Sequence, residues 1–161
     1  MKILIRNLSQ SKEGAGCLVY CSATDRFLIA FRSRLVDSPH TYSVFGGLVE
    51  FNETLSRAAI REFREECGYE DEIQDVRLLY KYVSDSSEFV YTTFLAIVDS
   101  EFEPHLNWET ERTEWVTRKQ LGAKQNLHYG LKALLNDYGA KRVLMEARRD
   151  PAGIEKVRKA K

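Results

Sequence analysis

The alternation of hydrophobic and polar positions predicts strands, a helix, further strands and a second helix along the chain. β-Branched and aromatic runs between turn residues predict strands at 1–6, 14–21, 27–31, 42–45, 74–83, 89–98 and 113–117. Apolar residues at helical spacing predict helices at 54–66 and 127–138. Asn52 is the expected N-cap of the first helix, Gly68 its C-terminal stop, and Gly139 the stop of the second. This order favours an α/β fold in which a mixed sheet lies between helices.

Composition indicates one domain of a cytoplasmic protein. The chain has 161 residues, with 24 Lys and Arg against 24 Asp and Glu, which gives no reason to expect a nucleic-acid track or a strong membrane attraction. No apolar stretch approaches the roughly 20 residues that span a bilayer. The three cysteines lack the spacing of a zinc site, and we expect buried, reduced thiols.

The C-terminal segment differs in charge from the rest of the chain. Residues 141–161 are net basic and the preceding body is net acidic, so we divide the chain into a domain at 1–140 and a basic C-terminal helix or tail at 141–161. The tail is either a solvated or frayed helix, or an electrostatic aid that attracts anionic substrates or RNA.

The first predicted helix carries a cluster of acidic residues. Glu62, Glu65 and Glu66 lie at i, i+3 and i+4 and therefore share one face, whereas Phe63 and Cys67 can face the core. No Lys or Arg lies four residues beyond Glu62 or Glu65, so something else should neutralise the cluster. Mg²⁺ or Mn²⁺ suits such oxygen ligands, and a solvated acidic face is the alternative.

The residues around this cluster resemble the Nudix box. The motif runs Gly47, five residues, Glu53, seven residues, Arg61-Glu62, two residues, Glu65-Glu66, one residue and Gly68. All seven fixed positions of the family motif are present. The departures are Phe63 and Tyr69 in place of aliphatic residues, Phe45 where many members have Pro, and Asn52 where many have Gly. The resemblance extends over about 15–138 and implies a Nudix-type α/β/α sandwich.

The resemblance also implies roles for the box residues. It makes Glu62, Glu65 and Glu66 the ligands of Mg²⁺, with Mn²⁺ as a substitute, and a main-chain carbonyl near Gly46 or Gly47 completes the shell. The catalytic set would include Glu66 and Glu65, supported by Arg61 and Glu53, which pair in the family. A helical ion pair of Arg61 with Glu65 is the competing interpretation.

Further candidates lie outside the box. Glu109, with Glu111 second, is the candidate general base, by its similarity in spacing to a loop glutamate of several relatives. Arg32 and Arg34 are candidate phosphate ligands or ordinary surface residues. The aromatic residues on the long strands are core residues or bind a base: Tyr80, Tyr82, Phe89 and Tyr91. The histidines show no ligand spacing.

The resemblance implies hydrolysis of a phosphoanhydride bond in a nucleoside diphosphate linked to another group, X. The products would be a nucleoside monophosphate and phospho-X, and a nucleotide sugar or ADP-ribose-like substrate is favoured. The alternatives are a nucleoside triphosphate, a dinucleoside polyphosphate, 5′-capped RNA, or a non-catalytic nucleotide-sensing domain. The expected partner is a nucleotide-derived small molecule; RNA and a homodimer remain open, and no membrane is expected.

Overall fold

The computed structural model describes residues 12–86 and 88–153. The predicted strand at 1–6, Ser87 of the predicted hairpin turn and the tail beyond residue 153 lie outside these residues. The described strands are β1 Lys12–Cys21, β2 Arg26–Arg32, β3 Tyr42–Ser43, β4 Phe45–Leu48, β5 Asp75–Val83, β6 Phe89–Val98 and β7 Thr110–Thr117. The described helices are α1 Leu55–Cys67, α2 Arg118–Ala123, α3 Tyr129–Asn136 and α4 Tyr138–Arg149.

The strands form one mixed sheet of seven members with β1 near its centre. β1 lies parallel to β6 and antiparallel to β2 and β4, and β5 and β6 form the predicted hairpin. Residues opposite one another point to the same face. One row across the sheet runs Leu48, Gly14, Tyr91 and Tyr82, and the next runs Gly46, Gly16, Thr93 and Tyr80. Strands β4, β1, β6 and β5 therefore form one continuous surface on this face of the sheet.

Helices cover both faces of the sheet, which confirms the predicted α/β/α sandwich. On one face, Ala58, Ala59 and Phe63 of α1 pack against β1 and β6. On the other face, buried side chains of α2, α3 and α4 pack against β1, β2 and β6. Among the described residues, no helix is long and apolar enough to cross a membrane.

The start of α1 differs from the prediction. Thr54, with extended dihedrals, is the N-cap, and its side chain accepts a hydrogen bond from the Arg57 backbone N–H. Asn52 instead has a φ of 60° in the preceding turn. The expected N-cap was wrong because a capping side chain requires extended backbone at its own position. Gly68 ends the helix as predicted, with a φ of 67°.

The predicted helix at 127–138 is two helices in the structure. Asp137 ends α3 and also caps α4, because its side chain accepts a hydrogen bond from the Ala140 N–H. Gly139 therefore lies in the first turn of α4 and does not end a helix. The short helix α2 was not predicted; Thr117 and Gln120 begin it with a reciprocal capping box.

The first part of the basic tail is a packed helix. Helix α4 buries Ala140, Leu144 and Ala147. The buried Arg77 of β5 donates hydrogen bonds to the carbonyl oxygens of Asp150 and Pro151 at the end of this helix. A solvated or frayed segment is therefore the wrong description of residues 141–149, whose basic side chains lie on the exposed side of a docked helix.

Candidate active site

The acidic helix lies against the two glycines of β4. The chain leaves β4 at Leu48, turns, and enters α1 at Leu55, so the helix doubles back beside the strand. Because Phe63 is buried against the sheet, the neighbouring face of α1 brings Glu62 and Glu66 towards Gly46 and Gly47.

Glu66 is a buried carboxylate held by two donors. Its side chain is 5% exposed. Oε1 accepts a hydrogen bond of 2.6 Å from the Gly46 backbone N–H, and Oε2 accepts one of 3.3 Å from the Thr110 hydroxyl. Burial raises the pKa of Glu66 to about 8, and the nearby charges of Glu109 and Glu62 act in the same direction. Both oxygens of this carboxylate are thereby fixed between α1, β4 and β7.

The carboxylate of Glu62 lies against the backbone of Gly47. A Cβ added to Gly47 would lie 2.6 Å from the carboxyl carbon of Glu62, closer than any real contact allows. The Glu62 side chain is 12% exposed, and burial raises its pKa. Gly47 therefore permits the close approach of this carboxylate to the strand.

Arg61 joins the box glutamates. Its guanidinium donates two hydrogen bonds to Glu53, of 2.8 and 3.0 Å, and one of 2.7 Å to Glu62. It also donates to Glu65 at 3.3 Å and to the Leu48 carbonyl oxygen at 3.0 Å. The pair with Glu53 and the helical pair with Glu65 are both present. Arg61, which precedes Glu62, therefore offsets part of the charge of Glu62 and Glu65, but it makes no hydrogen bond to Glu66.

The donor chemistry fits a divalent metal ion, although the carboxylates do not converge on one point. Within residues 12–86 and 88–153, no group of three or more His, Cys, Asp or Glu side chains is placed to hold a metal ion. Glu66 turns to Gly46, Glu62 turns to Arg61, and the Glu65 side chain is 57% exposed. The oxygens are nevertheless of the hard type that Mg²⁺ and Mn²⁺ prefer, and Gly47 leaves room at the strand.

A cavity of about 490 Å³ opens beside the same strand. Gly46, Gly47 and Leu48 line it, together with Arg32 and Glu109. This volume lies within the range of small-molecule sites, roughly 300–1,000 Å³. The cavity and the acidic helix thus share the glycine strand.

Only some of the predicted candidates lie at this cavity. The Glu109 backbone is held by Ser33 and Asn107, whose side-chain amide also lies 3.4 Å from the Glu109 carboxylate. Glu111 is exposed beside Arg112, at 3.6 Å, and is not a lining residue. Arg34 is exposed and does not line the cavity either.

Aromatic side chains form much of the cavity wall, including two residues that sequence reasoning missed. Tyr80, Tyr82, Phe89 and Tyr91 all line the cavity and are partly buried. Tyr129 and His128 come from the start of α3, and the Tyr129 ring centroid lies 5.6 Å from that of Tyr82. Little in the sequence points to them, because α3 approaches β5 only in the folded chain.

His128 is an uncharged helix cap. Its Nδ1 accepts a 3.2 Å hydrogen bond from the Gly130 N–H, so Nδ1 carries no proton. Burial lowers the pKa of His128 to about 4, and the charge of Arg32 adds to this effect. Among the described residues that line the cavity, Arg32 is therefore the only side chain that carries a positive charge at neutral pH.

The chain thus combines a sandwich, a glutamate-rich helix and an adjacent cavity of about 490 Å³. The NUDIX domain family model matches residues 11–138. The chain therefore belongs to the NUDIX domain family. No curated protein sequence matches it.

Solved structures share the fold at low identity. A Nudix hydrolase from M. Smegmatis, RenU, is 20% identical with a TM-score of 0.65, over 88% of this chain and 86% of that one. A MutT/nudix family protein from Enterococcus faecalis is 19% identical with a TM-score of 0.55, over 65% of this chain and 42% of that one. A bifunctional NMN adenylyltransferase/ADP ribose pyrophosphatase from Francisella tularensis, complexed with AMP and a Mn ion, is 18% identical with a TM-score of 0.57, over 85% of this chain and 42% of that one. This chain thus spans less than half the length of the latter two proteins.

Proposed function

We propose that this protein hydrolyses a phosphoanhydride bond in a nucleoside diphosphate linked to another group, X, and releases a nucleoside monophosphate and phospho-X. The observation that carries the proposal is the position of Gly46 and Gly47. One side of this strand contacts Glu66 and Glu62, and the same two glycines line the cavity. A substrate in the cavity would therefore place its diphosphate next to the box carboxylates.

The proposed metal ligands are the oxygens of Glu62, Glu65 and Glu66, together with the main-chain carbonyl of Gly47. A bound Mg²⁺, or Mn²⁺ in its place, would supply positive charge to the diphosphate and acidify the attacking water. Glu62 and Glu65 would exchange their hydrogen bonds with Arg61 for this ion. The two hydrogen bonds from Arg61 to Glu53 would keep the start of α1 fixed while the ion replaces the other hydrogen bonds of Arg61.

Glu109 is the proposed general base. It is the carboxylate of the loop before β7 that lines the cavity, and its charge acts on both Glu66 and Glu62. A carboxylate at this place can accept a proton from water that attacks the diphosphate. Its backbone bonds to Ser33 and Asn107 hold it in position.

The cavity favours a nucleotide sugar or ADP-ribose-like substrate. Aromatic rings such as Tyr82 and Tyr129 offer apolar surface for a base. Arg32 brings one positive charge, which suits a diphosphate better than the longer anionic chain of a nucleoside triphosphate or dinucleoside polyphosphate. The structural neighbour from Francisella tularensis is a bifunctional NMN adenylyltransferase/ADP ribose pyrophosphatase, which agrees with this preference. The free, buried thiols Cys17, Cys21 and Cys67 support a cytoplasmic location.

The test is an activity screen with purified protein, in Mg²⁺ and separately in Mn²⁺. The panel contains ADP-ribose, nucleotide sugars, a dinucleoside polyphosphate, nucleoside triphosphates and 5′-capped RNA, and nucleoside monophosphate release is measured. We expect turnover of ADP-ribose or a nucleotide sugar by the wild type. Preferential cleavage of a triphosphate or of capped RNA would instead support the corresponding alternative.

Two variants connect the turnover to the box. Glu66→Gln keeps an oxygen for the Gly46 N–H, so we expect a folded protein that has lost turnover. Glu103→Gln changes an exposed loop glutamate and should match the wild type. Wild-type rates in Glu66→Gln would refute the proposed function, and nucleotide binding without cleavage by the wild-type protein would indicate a sensing domain.

A further inference from the structure

The ring of Tyr91 lies across three glycines on two neighbouring strands. A Cβ added to Gly14 would lie 2.5 Å from the ring, and one added to Gly16 or Gly46 would overlap the Tyr91 hydroxyl oxygen. Tyr91 starts on β6, and its hydroxyl therefore reaches over β1 to β4. Because these three positions carry no side chain, the ring packs directly on the backbone of β1 and β4.

The hydroxyl of Tyr91 is an unused donor at the cavity. Its ring contacts Phe89, and within the described part of the chain the hydroxyl makes no hydrogen bond. Burial raises the pKa of Tyr91, and the charge of Glu66 adds to this effect. A tyrosine hydroxyl is ordinarily protonated at neutral pH and can donate a hydrogen bond.

The two ends of the cavity lie over different strands of the sheet. β4 and β5 are three strand spacings apart, or about 14 Å. Gly46 and Gly47 lie at one end, and Tyr82 with Tyr129 at the other. The Tyr91 hydroxyl lies against Gly46, at the glycine end of the cavity, and not at the aromatic end.

We propose that Tyr91 is a substrate-binding residue whose hydroxyl donates a hydrogen bond to a phosphate oxygen of the substrate beside Gly46. This inference rests on the proposed function, since it assumes that a diphosphate occupies the glycine end. Tyr91 would act together with Arg32, which lines the same cavity and whose charge reaches the Tyr91 hydroxyl. A neutral donor adds a contact to the phosphate without adding charge.

The test is Tyr91→Phe, which keeps the ring packed against the three glycines and removes only the hydroxyl. Binding of ADP in the presence of Mg²⁺ and binding of adenosine are measured by calorimetry, together with the thermal midpoint. We expect ADP affinity to fall about 10- to 100-fold, as for a lost hydrogen bond to a charged group. Adenosine affinity and the midpoint should stay unchanged. Tyr138→Phe, at an exposed tyrosine, should bind ADP as the wild type does.

Three results would overturn the assignment. They are wild-type ADP affinity in Tyr91→Phe, an equal loss for ADP and adenosine, and no binding of ADP by the wild-type protein. In kinetics with the best substrate of the panel, kcat/KM should fall by a similar factor in Tyr91→Phe. Because the binding assay needs no turnover, a failure of the proposed function appears in the activity panel, whereas a failure of the Tyr91 inference appears in the ADP titration.

Discussion

Replacing Arg61 with Met would show how the box is stabilised without a metal ion. Met fills much of the volume of the arginine stem but removes the guanidinium and its five hydrogen bonds. The carboxylates of Glu53 and Glu62 would then lie partly buried without their cation. Their side chains are only 14% and 12% exposed, so water can replace the lost partner only in part.

The expected loss follows from these exposures. Breaking a fully buried ion pair costs about 3–5 kcal/mol, and the exposed pair with Glu65 adds only about 0.3–0.5 kcal/mol. Since Glu53 and Glu62 keep some contact with water, we expect Arg61→Met to lower the free energy of unfolding by about 2–4 kcal/mol at neutral pH. Arg57→Met, at an exposed position on the same helix, should change it by less than about 0.5 kcal/mol.

The decrease in unfolding free energy caused by Arg61→Met should depend on pH. Hydrogen bonds from Arg61 lower the pKa of Glu53 below its ordinary 4.5. This stabilisation is present above the ordinary pKa and is lost as the pH falls through the lowered folded value. Burial raises the pKa of Glu62, and Arg61 acts against this shift. Without Arg61, the Glu62 carboxylate destabilises the variant only while it is ionised. Both effects make the difference in unfolding free energy between wild type and Arg61→Met largest near neutral pH, and it should shrink once the pH falls below 4.5, the ordinary pKa of Glu53.

The assay is urea unfolding at pH 7 and at pH 4, each with and without Mg²⁺. Mg²⁺ would neutralise Glu62 and Glu65 in place of Arg61, so at pH 7 it should reduce the deficit of Arg61→Met. An unfolding free energy equal to that of Arg57→Met, or a gap that widens on acidification, would refute this account of the box.

Two further predictions concern the base and the C-terminal helix. Glu109→Gln should lower kcat about 10²- to 10⁴-fold and Glu111→Gln only slightly, as measured by steady-state kinetics, and the reverse order would identify Glu111 as the base. Leu144→Ala should lower the free energy of unfolding by about 2–5 kcal/mol and the exposed neighbour Met145→Ala by less than about 0.5 kcal/mol, in urea titrations; equal effects would contradict the docked position of α4.

Local patterns identified the strands and the acidic helix. The box glutamates are adjacent in sequence, and the spacing of Glu62, Glu65 and Glu66 places them on one helical face whatever the rest of the chain does. Gly68 marks the end of α1 because the left-handed conformation favours glycine. The cap at Thr54 and the break at Asp137 were missed, because several polar residues in each segment could cap a helix and only the folded backbone selects one.

Contacts between residues that are distant in sequence determine the geometry of the candidate active site. The sequence alone determined the family and the acidic face of α1, because both depend on spacing within a short segment, and the order of the elements together with the family resemblance predicted the sandwich. Only the tertiary structure brought His128 and Tyr129 to the cavity, laid the Tyr91 ring over Gly14, Gly16 and Gly46, and separated Glu109 from Glu111. These relations join β4, β6, β7 and α3 through the sheet register and through packing, which no local pattern in the chain encodes.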